Sequence, residues 1–195
     1  MCSPIELIVC RFCLSAASSG GQSYHFLTAF GCILECPLFK DIVSVQQNDF
    51  SIAELSAQVR ADDASNGAIV TFTGIVRQLP SGPGLEAMYL EHYPGMTEKA
   101  LSAIIHQARK RWPLGNVVVV HRIGRLELND NIVFVGVGSA HRQAAFEAAQ
   151  FIMDYLKRDA PFWKKEITVD GEHWVEAKQS DLDAADKWQG QVART

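Results

Sequence analysis

Apolar residues along the chain follow two spacings, one typical of strands and one typical of helices. Residues 68–77 and 87–93 are rich in β-branched and aromatic side chains, which predicts two strands joined as a hairpin by a long loop. Residues 132–138 are apolar almost throughout, as expected of a central strand covered on both faces. Shorter strands are predicted at 42–45, 117–120 and 173–176.

Helical spacing separates these strands. Ser51 is the expected N-cap of a first helix, and Thr97 caps a second whose apolar residues recur at helical spacing. A third helix is predicted to start with Ser139 as its N-cap and to run to Lys157, and a short acidic helix begins at Ser180. Hairpins mixed with helical connections indicate an α+β sandwich.

The first 40 residues differ in composition from the rest. Residues 1–40 hold all five cysteines, a Ser/Gly-rich break and almost no charge. We interpret them as a Cys-rich N-terminal extension, either disordered or the product of a translation start assigned too far upstream. The domain proper is expected at 41–190, with a tail at 191–195. The cysteine spacing is compatible with zinc, but its apolar surroundings favour reduced thiols and no bound metal.

Bulk composition excludes several classes of protein. The chain has 195 residues, 48% of them hydrophobic, which is ordinary for a globular domain. A formal net charge of -4 argues against a general nucleic-acid binder. No run reaches the roughly 18 uncharged apolar residues of a membrane span, and the first residues lack the basic region of a secretory signal. We therefore expect a cytoplasmic protein.

A histidine and an arginine stand where the predicted central strand becomes a helix. Unpaired N–H groups and the positive end of the helix favour an anion beside His141 and Arg142. Arg142 can grip a phosphate or carboxylate with two hydrogen bonds, and His141 titrates near neutral pH and can relay a proton. The alternative is a capping or core histidine beside a surface arginine.

A second charged group follows at the end of the same predicted helix. Lys157 closes the helix, where the helix dipole by itself also favours a cation. Lys164 follows an aromatic pair, and dry surroundings shared with other cations would lower its pKa and make it a better nucleophile or proton donor. Lys165 and Glu166 would add a second cation and an orienting carboxylate. The alternative is an exposed basic turn with ordinary aromatic packing.

Several short segments occur in one order along residues 41–188. They are Thr71-Phe72-Thr73-Gly74-x-Val76-Arg77, Leu90-Glu91-His92-Tyr93-Pro94-Gly95-Met96, Arg111-Trp112-Pro113-Leu114-Gly115, His121-Arg122-Ile123-Gly124, Ser139-Ala140-His141-Arg142, Asp154-Tyr155-Leu156-Lys157 and Ala160-Pro161-Phe162-Trp163-Lys164. This combination resembles the large, catalytic subunit of molybdopterin synthase. The resemblance implies an α/β hammerhead-type sandwich with a mixed, largely antiparallel sheet and packed helices.

The resemblance also implies an activity and partners. The family is a sulfurtransferase that converts cyclic pyranopterin monophosphate into molybdopterin by inserting two sulfurs as a dithiolene. It forms a homodimer within a heterotetramer, and each copy binds a small ubiquitin-like sulfur-carrier subunit whose Gly-Gly C-terminus arrives as a thiocarboxylate. No cofactor is implied. Because the carrier brings the sulfur, the absence of cysteine from residues 41–195 fits this activity.

Carried over position by position, the resemblance assigns functional residues. The catalytic candidates are Lys157, Lys164 and His141. The implied substrate contacts are Arg77, His141, Arg142, Lys157, Lys164, Lys165 and Glu166.

Two other functions fit parts of the pattern. A non-catalytic scaffold would bind a ubiquitin-like partner through Phe162, Trp163 and the hairpin, and would tolerate loss of the lysine charges. A single-stranded RNA binder would use Trp163 with Lys164 and Lys165. The acidic balance and the presence of only one such cluster weigh against the RNA binder.

Overall fold

The structure is a computed structural model that describes residues 39–61, 63–78, 84–176 and 179–189. The predicted extension at 1–40 lies outside the described residues apart from Phe39 and Lys40, and so do all the cysteines and the predicted tail at 191–195. The described part forms eight strands and four helices. In chain order they are β1 (Asp41–Gln46), α1 (Ile52–Arg60), β2 (Ala68–Ile75), β3 (Leu85–His92), α2 (Met96–Arg109), β4 (Val117–Arg122), β5 (Gly124–Glu127), β6 (Asn131–Ser139), α3 (Arg142–Asp159), β7 (Phe162–Thr168), β8 (Gly171–Val175) and α4 (Gln179–Asp186).

The first sheet, sheet A, has the strand order β1-β4-β6-β2. Only the β1–β4 pair is parallel, and β6 runs antiparallel to both of its neighbours. Residues 133–139 of β6 are all buried. The predicted central strand is therefore confirmed, and so is the mixed, largely antiparallel character of an α+β fold.

The second sheet, sheet B, has the order β5-β3-β7-β8 and is antiparallel throughout. The predicted hairpin of β2 and β3 is wrong, because β2 pairs with β6 in sheet A whereas β3 lies between β5 and β7 in sheet B. β5 and β7 were not predicted. Each carries charged residues in succession or alternation, which hides the apolar spacing by which strands are detected.

Helices cover both faces of sheet A. On one face α2 and α3 pack through buried residues such as Leu101, Ile105, Phe151 and Ile152 against the valines of β4 and β6. On the other face Leu55 and Val59 of α1 pack against Phe134 and alternate β4 valines. Each fully buried side chain of this size contributes about 1.5–3 kcal/mol. This two-sided core holds α3 in place.

The start of α3 differs from the prediction. The N-cap is His141 in extended conformation, and Ser139 is the last residue of β6. Ser139 is fully buried in the sheet, where its hydroxyl donates to the carbonyl oxygen of Pro113 at 2.9 Å and accepts from the N–H of His141 at 3.4 Å. At the other end Ala160 is extended, as expected of a residue that precedes Pro161.

We predict that Gly136→Ala destabilises the fold. A Cβ at this position would overlap Val59 Cγ2 and would lie 2.8 Å from Phe134 Cε1, both inside the core. Overpacking of this kind costs about 1–3 kcal/mol in free energy of unfolding, measurable by chemical denaturation. The matched control is Gly84→Ala, where the nearest atom would be Gln78 Nε2 at 3.9 Å. Equal stability of the two variants would contradict the prediction.

Candidate active site

Strand β7 places its charged residues on two opposite faces. Successive side chains of a strand point to opposite sides, so Lys164 and Glu166 share one face and Lys165 takes the other. Lys164 lies opposite Leu90 in the ladder with β3, and Leu90 belongs to a buried apolar cluster between the sheets. The face with Lys164 and Glu166 therefore turns inward, and the face with Lys165 turns outward.

On the inner face Lys164 and Glu166 form an ion pair. Lys164 Nζ donates to Glu166 Oε1 at 2.9 Å, and the two side chains are 35% and 18% exposed. Partial burial keeps this pair from being fully screened by solvent. The carboxylate of Glu166 thus holds the ammonium group of Lys164, and the lysine side chain as a whole stays partly exposed.

On the outer face Lys165 is held by different partners. Its Nζ donates to Glu172 at 2.7 Å and lies 5.4 Å from the ring centre of Tyr89 and 5.2 Å from that of Trp174. The hydrogen bond with Glu172 raises the pKa of Lys165 above its ordinary value. The structure therefore separates Lys165 from Lys164, although the two are adjacent in sequence.

Lys157 lies in the last turn of α3, where the helix dipole favours a cation. Its Nζ is 3.4 Å from Asp181 on α4, and the side chain is 52% exposed. The segment that carries α4 is anchored by buried Trp188, whose ring nitrogen donates to Asp154 of α3 at 2.9 Å. Asp181 is thus supplied by a segment tied to the same helix.

Arg77 follows β2 and is exposed. It has no charged partner among the residues that the structure describes. The preceding residue, Val76, is buried in the same apolar cluster as Leu90, which lies opposite Lys164. Arg77 and Lys164 therefore flank one cluster between the two sheets.

His141 and Arg142 lie elsewhere. The two ends of sheet A are named here after the ends of β6. At the Asn131 end β6 begins, and at the Ser139 end β6 stops and α3 starts three residues later. Because α3 packs back along β6 and β2, Lys157 returns to the Asn131 end. Fifteen residues of helix separate Arg142 from Lys157, or about 22 Å along the axis. Both His141 and Arg142 are exposed, and the His141 side chain makes no capping hydrogen bond.

The register of sheet A places Arg77 far from His141 as well. Ile75 pairs with Asn131 and Ala68 pairs with Ser139, so Arg77 lies at the Asn131 end. One chain therefore carries two separate groups of candidate residues. The group at the Asn131 end is Arg77, Lys157, Lys164 and Glu166, and the group at the Ser139 end is His141 and Arg142. The predicted convergence of both groups does not occur within a single chain.

Sequence reasoning assigned no role to His121, which the structure places beneath β7. Its ring stacks on Phe162 with centroids 3.8 Å apart, and Nδ1 lies 2.8 Å from the carbonyl oxygen of Arg122. Since a carbonyl only accepts, Nδ1 carries the proton. Burial lowers the pKa of His121 to about 4. The signal in the sequence was a histidine directly after four valines.

The described residues contain no group of three or more histidine, cysteine, aspartate or glutamate side chains that could hold a metal ion. No helix in the described ranges is long and apolar enough to cross a membrane.

Comparisons with known proteins agree with this fold. A family model described as MoaE protein matches residues 45–159. The chain is 57% identical over 146 residues to the molybdopterin synthase catalytic subunit of Escherichia coli, covering 75% of this chain and 97% of the relative. A MoaE structure from Burkholderia ambifaria superposes with a TM-score of 0.67 at 45% identity, covering 78% of this chain and 100% of that one.

A more distant structure shows the same fold. The complex of subunits 1 and 2 of molybdopterin-converting factor from Helicobacter pylori matches with a TM-score of 0.59 at 18% identity, over 70% of this chain and 91% of that one. Fold, site and relatives together define a sulfur-transferring enzyme subunit of molybdenum cofactor biosynthesis. The chain belongs to the MoaE family.

We predict that His121 makes stability depend on pH. The unfolded chain binds a proton near pH 6.5 and the folded chain only near 4, so stability is full above 6.5 and falls as pH drops toward 4. The loss is roughly 3 kcal/mol. His121→Phe retains an aromatic ring against Phe162 but removes this titration. As the pH falls from 7 to 4, the free energy of unfolding of His121→Phe should therefore rise relative to that of the natural protein.

The measurement is chemical denaturation of both proteins at each pH. All other titratable groups are present in both proteins, so the difference between the two stability curves isolates position 121 together with its electrostatic coupling to His92. Parallel stability curves across this range would contradict the prediction.

Proposed function

We propose that this chain converts cyclic pyranopterin monophosphate into molybdopterin, with two sulfurs supplied by the thiocarboxylated C-terminus of a small ubiquitin-like carrier. The observation that carries the proposal is the grouping of Arg77, Lys157, Lys164 and Glu166 at one end of a MoaE-family chain. The Escherichia coli relative named above is a catalytic subunit of molybdopterin synthase, in line with this reaction.

The proposed roles follow from the chemistry of each group. The planar guanidinium of Arg77 grips the phosphate of the substrate with paired hydrogen bonds. Lys164, oriented by Glu166 at 2.9 Å, polarises the attacked carbon or the thiocarboxylate. Lys157, more exposed at 52%, is the proposed proton donor or base. Lys165 has no part in this scheme, because it lies on the outer face of β7.

We further propose that His141 and Arg142 reach the site from a second copy of the chain. In a two-fold dimer the same surface of each copy forms the contact. Any side chain that one copy contributes to its partner's site is therefore also contributed by the partner in return. If β2 pairs antiparallel with β2 of the partner, the Ser139 end of one sheet A lies beside the Asn131 end of the other. The partner's pair would then complete the phosphate site.

Strand β2 has the features of such a contact. It is the outer strand of sheet A and exposes Ile69, Phe72 and Ile75 at 37%, 43% and 51%. An exposed apolar edge strand invites pairing with another chain. Phe146, on the first turns of α3 near the Ser139 end, is 63% exposed and extends this apolar surface.

The proposed assembly is a heterotetramer, with one carrier bound to each copy of the homodimer. The Helicobacter pylori structure is a complex of two different subunits, which supports a small-subunit partner. The carrier delivers its C-terminus to the lysines of one copy. The competing function is a scaffold that docks the carrier without chemistry.

We predict that Lys157→Ala and Lys164→Ala each lower turnover at least 100-fold, since each removes a group that stabilises charge or moves a proton in the transition state. The assay measures dithiolene product from purified protein, thiocarboxylated carrier and the pterin substrate. Lys99→Ala, an exposed lysine on α2, is the matched control and should keep full activity. Near-normal turnover in both lysine variants would contradict these lysine roles. Carrier binding without any dithiolene product from the natural protein would favour the scaffold.

Mixed dimers test the contribution of the second copy. Co-expressed Arg142→Ala and Lys164→Ala chains should recover about a quarter of normal activity, because half of the dimers are mixed and each holds one intact site. Lys157→Ala mixed with Lys164→Ala is the control and should recover none, since both lysines of a site come from one chain. Equal recovery, or none, in both mixtures would reject the shared site.

A further inference from the structure

Arg122, the last residue of β4, is a buried cation that joins two loops. Its side chain is 10% exposed. Nε donates to the carbonyl oxygen of Gln47 at 3.2 Å, and Nη1 donates to that of Asn131 at 3.0 Å. The same Nη1 lies 3.5 Å from Asp49 Oδ1 and 3.6 Å from Asp130 Oδ2. One guanidinium thus binds the loop after β1 and the turn before β6.

These contacts depend on the planar fork of an arginine. Nε and Nη1 point in different directions from one rigid plane, so two carbonyls on separate loops are satisfied at once. Asn131 also donates to Asp49 at 3.0 Å, which lowers the pKa of Asp49, with a smaller effect from Arg122. A lysine places one point charge here and cannot reproduce the fork.

The turn held by Arg122 is also the segment that fixes the backbone before Arg77. Val76 N–H donates to the carbonyl oxygen of Asp130 at 2.9 Å, and Asn129 N–H donates to that of Val76 at 2.9 Å. Val76 is 1% exposed, so its side chain is locked in the core while its backbone is locked to the turn. Arg77 is the next residue.

The pairing of β2 leads to the same turn. Its last residue, Ile75, pairs with Asn131 after a register shift at Gly74. Such irregularities redirect the strand that follows them. Two successive residues ahead of Arg77 are therefore bonded to the turn that Arg122 holds.

We propose that Arg122 is a positioning residue: through the turn at residues 129–131 it sets the place from which Arg77 binds the phosphate of the substrate. The inference rests on the proposed function, because it requires Arg77 to contact substrate. Arg122 itself is buried, so it acts on binding only through the backbone it holds.

The test compares Arg122→Met with Arg77→Ala and with the double variant. Arg122→Met removes the fork and keeps much of the side-chain volume. We expect it to raise KM for the pterin substrate at least tenfold while kcat changes less than threefold, as in Arg77→Ala. The KM of the double variant should lie within twofold of that of Arg77→Ala, because the turn has no effect on phosphate binding once the Arg77 side chain is removed. The KM of Arg122→Lys should be close to that of Arg122→Met.

The matched control is Arg109→Met. Arg109 is also a partly buried ion-paired arginine, bound to Asp41 and to the carbonyl oxygens of Leu114 and Gly115 at 2.8 and 2.7 Å. Its loss should lower the melting temperature, as loss of Arg122 does, and leave KM unchanged. All assays are run below the melting transition of every variant, so a simple loss of folding is not scored as a loss of binding.

The outcomes separate the two proposals. A KM of Arg122→Met within twofold of normal, or effects of Arg122 and Arg77 that multiply in the double variant, would overturn the positioning role alone. A normal KM in Arg77→Ala would overturn both the positioning role of Arg122 and the proposed contact of Arg77 with the phosphate. Absence of dithiolene product from the natural protein, supplied with thiocarboxylated carrier and the pterin substrate, would instead refute the proposed reaction.

Discussion

The rigid length of α3 is the constraint on which the arrangement of the site depends. Its 18 residues span about 27 Å. His141 and Arg142 stand at its beginning and Lys157 stands at its end, and no rotamer change bridges that distance. A single chain therefore holds the two groups of candidate residues at opposite ends. In the two-fold dimer proposed above, the Ser139 end of each copy would lie beside the Asn131 end of the other.

The core explains why α3 can serve as such a spacer. One side of the helix is buried on sheet A, and Phe151 packs edge-on against both Trp112 and Trp188 with ring centres 5.4 and 5.6 Å apart. Hydrogen bonds from those two indoles to Glu147 and Asp154 tie flanking segments to the same helix. These contacts fix α3 on sheet A.

The spacing of apolar residues predicted the helices and strands whose burial follows one regular pattern from end to end. The apolar run of β6 and the periodic face of α3 were identified because each is buried along its whole length or along one stripe. The boundary between them was misplaced, because Ser139 is a good capping residue by type but is used by the sheet. Nothing local to Ser139 reveals the carbonyl of Pro113 that engages its hydroxyl at 2.9 Å.

Long-range pairing accounts for the other errors. β2 and β3 looked like a hairpin because they are consecutive, yet the partner of β2 is β6, far along the chain. The strand character of β7 was hidden by three charged residues in a row. Charge types indicated candidate residues for a site, but spacing in sequence cannot tell which end of a helix or which face of a strand these residues occupy.

The two faces of β7 carry a consequence for how the family can change. Lys164 and Lys165 have the same chemistry, yet one faces the interior with Glu166 and the other lies between Tyr89 and Trp174. Gain or loss of one residue between Pro161 and Lys164 would exchange these surroundings while leaving both lysines in the chain. The length of this segment is therefore constrained by the alternation of side chains along the strand.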